Sequence, residues 1–293
     1  MKPAPFDYVA PTTVSDALDA IASAGDPRVL AGGQSLVPLL NLRLARPDVV
    51  IDVNGVDELD HLDIDDGVVR IGATTRHRSV ELDPELASAV PLLVEAAGFV
   101  GHPHIRNRAT VGGTIAHADP AAEFGAVMLA LDGRVIVQGA GGRRTVPAAE
   151  WYQGYFTTAI EPGEMLIEVE LPARSSGAGH AFREFAPRHG DFAITGVAAI
   201  VERANGSCTG ARLAACGVGS VPVDLSSVAD ALVGATDIDD DALREVTRRV
   251  AVLVDPTSDV HASGEYRREL VQLLAAEALR AAWERAPSGG RST

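Results

Sequence analysis

The chain has 293 residues, 46% of them hydrophobic, and carries 40 acidic against 25 Lys and Arg side chains, a formal net charge of −15. This length predicts one large or two ordinary domains with a substantial core. The acidic excess excludes a nucleic-acid backbone or an anionic membrane surface as the main partner, since either would be repelled. The two cysteines, Cys208 and Cys216, are too few for a four-thiolate metal site or a disulfide framework. We therefore assign no metal ligands to this chain.

The first half of the chain is expected to alternate short strands and helices. Apolar runs, caps and turn residues predict a helix that begins after Thr13 or Ser15 and ends at Gly25, followed by strands at 29–31 and 49–51. Residues 65–67 (Asp-Asp-Gly) predict a tight hairpin turn that leads into a strand at 68–71. The same signals predict a helix at 91–97, a glycine-broken strand or loop at 110–115, a helix opened by Asp119 and Pro120 and running to Leu131, and strands at 135–137 and 165–171. The first residues contain no apolar run long enough for a signal peptide or a membrane span, so a cytoplasmic protein is expected.

The second half has a different pattern, which begins after a linker of small residues at 173–179. It predicts three antiparallel strands at 181–185, 193–201 and 211–218, followed by helices at 228–233, 242–254 and 266–283. We therefore expect two domains, residues 1–175 and 180–285, in the α+β class. Residues 286–293 have no apolar face and are predicted to form a disordered tail.

Two pairs of glycines carry the chemical signal. The first, in residues 30–36, follows a predicted strand and can present backbone N–H groups to a diphosphate, although for this pair taken alone an ordinary tight turn is the simpler interpretation. It is not a Rossmann fingerprint, because the third glycine and the later acidic residue are missing. The second pair, in residues 110–115, can contact the other side of the same diphosphate, or it forms a β-bulge.

In combination, the motifs resemble one family of flavoproteins. The motifs are AGGQSL (31–36), TVGG (110–113), ADPAAE (118–123), YFT (155–157), EPGE (161–164) and GDFA (190–193). Together and in this order they are similar to the FAD-binding (medium) subunits of molybdenum hydroxylases, which include carbon monoxide dehydrogenase medium subunits and xanthine dehydrogenase FAD-binding subunits. The resemblance implies a vanillyl-alcohol-oxidase (PCMH)-type FAD-binding domain, followed by a C-terminal domain of a three-stranded antiparallel sheet and three helices.

The resemblance also implies which residues contact FAD. By matching motif positions these are Leu30, Ala31, Gly32, Gly33, Gln34, Ser35, Leu36, Thr110, Val111, Gly112, Gly113, Thr114, Glu123, Leu166 and Phe192. Glu123 is otherwise a solvent-facing acid in the first turn of a helix, and Leu166 is otherwise an ordinary strand-core leucine. Phe192 stands where relatives often have tyrosine and can cover the isoalloxazine face. Relatives that bind FAD covalently often have histidine in the first loop, so Gln34 predicts non-covalent FAD.

Other polar residues are less decisive. Glu184 replaces a lysine that many relatives have near the flavin, so either Arg183 or Arg188 takes over the positive charge or the flavin potential is tuned differently. Arg106 and Arg108 lie beside the second glycine pair, where they contact phosphate or a partner subunit, or belong to a solvated loop.

The function implied by the resemblance is electron transfer without a catalytic acid or base in this chain. A large partner subunit would hold the molybdopterin and a small one the [2Fe–2S] clusters, and FAD here would pass electrons to an external acceptor. The resemblance also implies that the complex is a dimer of such heterotrimers. Two alternatives remain: a self-sufficient FAD-dependent oxidoreductase of the same superfamily, and a non-enzymatic structural or assembly subunit.

Overall fold

The computed structural model describes residues 2–287 and has mixed α and β structure. The strands are β1 (Asp7–Val9), β2 (Pro27–Leu30), β3 (Val49–Asp52), β4 (Leu62–Asp65), β5 (Val68–Gly72), β6 (Arg134–Gly139), β7 (Gly142–Pro147), β8 (Tyr152–Gly154), β9 (Thr157–Thr158), β10 (Met165–Pro172), β11 (Ala178–Phe185), β12 (Thr195–Ala204), β13 (Ser207–Cys216) and β14 (Val223–Asp224). We call residues 2–177 the N-terminal region and residues 178–287 the C-terminal region.

The helices connect these strands and cover their sheets. They are α1 (Val14–Ser23), α2 (Leu36–Asn41), α3 (His77–Leu82), α4 (Pro84–Ala89), α5 (Pro91–Ala97), α6 (Pro103–Arg106), α7 (Val111–His117), α8 (Glu123–Ala130), α9 (Ala148–Trp151), α10 (Ser226–Ala229), α11 (Asp240–Leu253) and α12 (Gly264–Arg285). Among residues 2–287, no helix is both long and apolar enough to cross a membrane.

The N-terminal region contains two main sheets. Strands β1, β3 and β2 form a parallel sheet in that order, and β4, β5, β10, β6 and β7 form an antiparallel sheet. Val69 and Ile71 of β5 alternate inward with β-strand period, as do Val135 and Val137 of β6, and all four are fully buried. This alternation fixes which face of the antiparallel sheet meets the core.

The C-terminal region is built on one antiparallel sheet in the order β11, β12, β13, β14. One face, which includes Phe182 and Cys216, joins the core of the N-terminal region, and the opposite face, which includes Val197 and Leu213, packs in a second core with helices α10 to α12. Because β12 is covered on both faces, residues 195–201 are all buried. This arrangement joins the two regions through a shared core.

Three predictions about elements need correction. The C-terminal sheet has four strands, because the two-residue β14 pairs with β13 and is too short to leave a hydrophobic pattern. Residues 111–117 form a helix instead of a strand or loop, since the Thr110 hydroxyl caps it by accepting the Gly113 N–H at 3.1 Å. Helix α8 begins at Glu123, after a turn in which Asp119 accepts the Ala121 N–H.

Several other elements agree with the sequence. Helix α5 spans the predicted residues 91–97, and the β4–β5 turn places Asp66 and Gly67 at positive φ of 48° and 76°. The predicted helix at 228–233 is divided into α10 and a 3-10 turn, Asp230–Leu232. Of the predicted tail, Ala286 is buried against the end of α12 and residues 288–293 lie outside the described part of the chain.

Candidate functional site

The first glycine pair forms an open turn between β2 and α2. Gly33 has a φ of +71°, and a Cβ on Gly32 would lie 2.4 Å from the Arg108 carbonyl oxygen, so both positions require glycine. Within residues 2–287, the N–H groups of residues 32–35 donate to no protein acceptor. Successive unpaired N–H groups in a turn form an anion-binding nest. The turn therefore fits a diphosphate.

This turn borders a cleft of about 350 Å3, which we call the glycine cleft. Its lining residues are Leu30, Ala31, Gly32, Gly33, Gln34, Val37, Pro38, Asp52, Asn54 and Arg108. Asn54 holds the turn in place, because its amide nitrogen donates to the Ala31 carbonyl at 2.8 Å. Arg76 in turn donates to the Asn54 side-chain oxygen and to the Arg108 carbonyl, each at 2.6 Å. These bonds connect the turn to the chain segment that precedes the second glycine pair.

The second glycine pair has a packing role. The N–H groups of Val111 and Gly112 donate to the carbonyls of Thr75 and Ala73, and that of Gly113 donates to the Thr110 hydroxyl. A Cβ on Gly112 would lie 2.7 Å from backbone atoms of Ala73, so only glycine allows this approach. A Cβ on Gly113 would lie 3.8 Å from the Ala31 Cβ. The structure thus brings the two glycine pairs together, with the free N–H groups on the first.

His77 packs beside the second glycine pair, where it contacts Thr110 and Thr114. The sequence does not predict this role. Its side chain is fully buried, its Nε2 lies 3.0 Å from both the Thr110 carbonyl and the Thr114 hydroxyl, and its ring packs 4.7 Å from that of Phe124. Burial lowers the pKa of His77 to about 4, so the ring is neutral at neutral pH. A single histidine at the start of a short helix gives no sequence signal for this position.

Glu123 lies at the junction between the N-terminal and C-terminal regions. The alternative prediction, a solvent-facing acid in the first turn of a helix, is wrong. It is only 6% exposed, and its neighbour across the junction is Glu184 of β11. Burial raises the pKa of Glu123, and burial together with the charge of Glu123 raises the pKa of Glu184. Glu184 Oε2 is buried without a hydrogen-bond partner in the described structure. The junction therefore contains a pair of carboxyl groups that favour protonation.

The other predicted residues lie outside the glycine cleft. Leu166 is buried in β10, opposite Val137 of β6, whereas Phe192 is 74% exposed on the segment between β11 and β12. Gly190 in the same segment has a φ of +86° and lies against the His102 ring. Arg183 donates to Glu95 at 3.0 Å. It is therefore paired with a carboxylate and is not a free cation that could replace the lysine found in many relatives.

Arg106 and Arg108 have different environments despite their proximity in sequence. Arg106 is buried, forms an ion pair with Glu81 at 2.8 Å and donates to the carbonyls of Val100 and Gly101. Arg108 is exposed and lines the glycine cleft. Arg106 therefore stabilises the fold. Of the two arginines, only Arg108 is placed to contact a phosphate.

Comparison with known families agrees with this site. Residues 4–174 match the model of the FAD binding domain in molybdopterin dehydrogenase, and residues 180–282 match the CO dehydrogenase flavoprotein C-terminal domain. The chain belongs to the FAD-binding medium subunits of the molybdenum hydroxylases. It is thus an FAD-dependent oxidoreductase subunit, which confirms the resemblance.

Individual relatives are similar along their whole length. The chain is 41% identical to the 6-hydroxypseudooxynicotine dehydrogenase complex subunit alpha of Paenarthrobacter nicotinovorans, over 98% of this chain and 97% of the relative. A carbon monoxide dehydrogenase structure from Hydrogenophaga pseudoflava superposes with a TM-score of 0.95 at 32% identity, covering 98% of this chain and 100% of that chain. Quinoline 2-oxidoreductase from Pseudomonas putida 86 gives a TM-score of 0.93 at 33% identity, covering 97% and 99%.

Proposed function

We propose that this chain binds FAD non-covalently with its diphosphate in the glycine cleft, and passes electrons from the iron–sulfur clusters of a partner subunit to an external acceptor. The observation that carries the proposal is the row of four unpaired N–H groups at residues 32–35. Full-length similarity to a carbon monoxide dehydrogenase medium chain supports it, since FAD exchanges electrons with such donors and acceptors.

Different residues of the site bind different parts of FAD. We propose that residues 30–36 hold the diphosphate, and that residues 110–114, at the start of α7, contact FAD from the other side of the first glycine turn. We also propose that Glu123, Leu166 and Phe192 contact the nucleotide or flavin parts of FAD beyond the cleft. The 74% exposure of Phe192 supports its role, because a solvent-exposed aromatic face can stack on the isoalloxazine.

We propose that the chain works with a small iron–sulfur subunit and a large molybdopterin subunit, as a cytoplasmic dimer of heterotrimers. Relatives described as a dehydrogenase complex subunit and as medium chains support a multi-subunit assembly. Their described substrates differ while their folds agree, which supports a substrate site on another subunit. The two-region organisation also supports our proposed division into domains 1–175 and 180–285. We propose that the first domain is of the vanillyl-alcohol-oxidase (PCMH) type.

The purified full-length chain provides the test. It should take up FAD and give a bound-flavin absorption spectrum, and trichloroacetic acid should release all the flavin into the supernatant. Incubated alone with aldehydes or purines and an electron acceptor, it should show no turnover. Failure to bind FAD would contradict the proposal, flavin retained on the denatured chain would contradict non-covalent binding, and turnover by the chain alone would establish the self-sufficient oxidoreductase instead.

A further inference from the structure

The side chain of Arg108 lies at the glycine cleft with its hydrogen-bonding capacity unused. Its carbonyl oxygen is fixed by Arg76 at 2.6 Å and lies against Gly32, so the backbone position is well defined. The guanidinium, in contrast, donates to no acceptor and forms no ion pair among residues 2–287. A fixed backbone with a free planar set of five N–H donors suits an incoming anion.

The neighbouring arginines cannot take this role. Arg76 is committed to Asn54 and to the Arg108 carbonyl. Arg106 is committed to Glu81 and to two backbone carbonyls. Arg108 is also the single basic residue in the described lining of the glycine cleft. Among the described lining residues, Arg108 is therefore the one that can place a positive charge directly against a ligand.

The carboxylate of Asp52 makes a positive charge in the cleft necessary for binding a diphosphate. It lines the same cleft, and its carboxylate accepts hydrogen bonds from the Tyr8 hydroxyl at 2.6 Å and from the Asn54 N–H at 2.9 Å. Although its partial burial favours the neutral acid, these bonds and the charge of Arg108 lower the pKa of Asp52. Asp52 is thus an anion at neutral pH. Without Arg108, a diphosphate would meet neutral N–H donors and a repelling carboxylate.

We propose that Arg108 is the cation that binds the FAD diphosphate, clamping it against the N–H groups of residues 32–35 and balancing Asp52. This inference rests on the proposed function and adds a specificity residue to it. Arg108 then recognises the phosphates and not the flavin ring, so its loss weakens FAD and ADP by the same factor. An arginine–phosphate contact is charge-assisted, so its loss should weaken binding about 10-fold to 100-fold.

The test compares Arg108→Gln and Arg108→Lys with the unaltered full-length chain. Dissociation constants are measured by flavin fluorescence for FAD and by competition for ADP, at several salt concentrations. We expect about a 10-fold to 100-fold loss for Gln with both ligands, a smaller loss for Lys, and a weaker salt dependence for Gln. Arg249→Gln is the matched control, because Arg249 is exposed on α11 outside the cleft, and it should bind normally.

The outcomes separate this inference from the proposed function. If the unaltered chain binds no FAD, the proposed function itself is wrong. If it binds FAD and Arg108→Gln binds FAD and ADP with unchanged affinity, only the role of Arg108 is wrong. A loss confined to FAD, with ADP unaffected, also overturns it, since a diphosphate contact must affect both ligands. Circular dichroism checks that each variant is folded. If Arg108→Gln does not fold, weaker binding by Arg108→Lys and salt-dependent binding by the unaltered chain support the role of Arg108, whereas unchanged affinity of Arg108→Lys together with salt-independent binding overturns it.

Discussion

The carboxyl pair of Glu123 and Glu184 should make the stability of the chain depend on pH. Both groups are held at the junction where burial favours their neutral forms, and their ordinary pKa is 4.5. Above that pH the unfolded chain releases protons that the folded chain keeps. Stability is therefore fully present at low pH and is lost as pH rises through the raised pKa values.

The expected size follows from the number of retained protons. Each carboxyl that stays protonated only in the folded state lowers the free energy of unfolding by about 1.4 kcal/mol per pH unit. Replacing Glu184 with Gln removes one such group while preserving its shape and a polar head. Relative to the unaltered chain, Glu184→Gln should gain about 3 kcal/mol between pH 5.5 and 7.5, because the raised pKa keeps Glu184 protonated in the folded chain over that range.

Urea unfolding of the FAD-free chain at a series of pH values measures this effect. Glu284→Gln is the matched control, because Glu284 is exposed on α12, and its stability should follow that of the unaltered chain at every pH. If Glu184→Gln and the unaltered chain lose stability in parallel from pH 5.5 to 7.5, the pair does not retain a proton and the reasoning is refuted.

Three further substitutions test the packing around the site. Gly32→Ala places a Cβ 2.4 Å from a backbone carbonyl, so it should lower unfolding free energy by about 1–3 kcal/mol and abolish tight FAD binding in fluorescence titrations. Gly154→Ala, which has open space around its Cβ, should change neither quantity. Glu95→Gln weakens two ion pairs at the junction, of 3.0 and 2.7 Å, and should cost about 1 kcal/mol in urea unfolding, less at high salt. Thr110→Ala removes a helix cap and should cost about 1 kcal/mol by the same assay, whereas Thr110→Ser should retain it.

Local sequence signals were sufficient for many elements of the fold. The Thr13 cap and the helical spacing of Ala17 and Ile21, both buried in the structure, predict α1, and the Asp66–Gly67 turn predicts the hairpin of β4 and β5. Each of these signals lies within a few residues of the element it predicts. The two-residue β14 was missed because it is recruited by pairing with β13, which no short pattern encodes.

The second glycine pair shows where local signals fail. Two adjacent glycines disfavour a helix, so a strand or loop was the natural prediction for residues 110–115. Tertiary structure overrides this preference. The Gly112 N–H donates to the Ala73 carbonyl, and α7 approaches Ala73 so closely that only a residue without a Cβ fits at position 112. Thr110 is a residue type that favours a helix N-cap, but a threonine before two glycines is equally common before a turn. The packing against Ala73 was not visible at all.

The candidate site was predicted unevenly for a similar reason. The free N–H groups of the first glycine turn follow from its local backbone, which the sequence indicates. The burial of Glu123 depends on β11, which lies sixty residues further along the chain, so the sequence alone favoured a solvent-facing acid. The difference between Arg106 and Arg108 likewise depends on Glu81, which only the fold brings beside Arg106.

The most direct test of the central claim is the composition of the complex isolated through this chain. The chain is purified with an affinity tag from the cells that normally produce it, and flavin, iron and molybdenum are measured in every fraction. The account predicts acid-releasable FAD wherever the chain is present, with iron and molybdenum confined to fractions that contain additional polypeptides. A chain purified without flavin, or one that carries iron or molybdenum by itself, would contradict it.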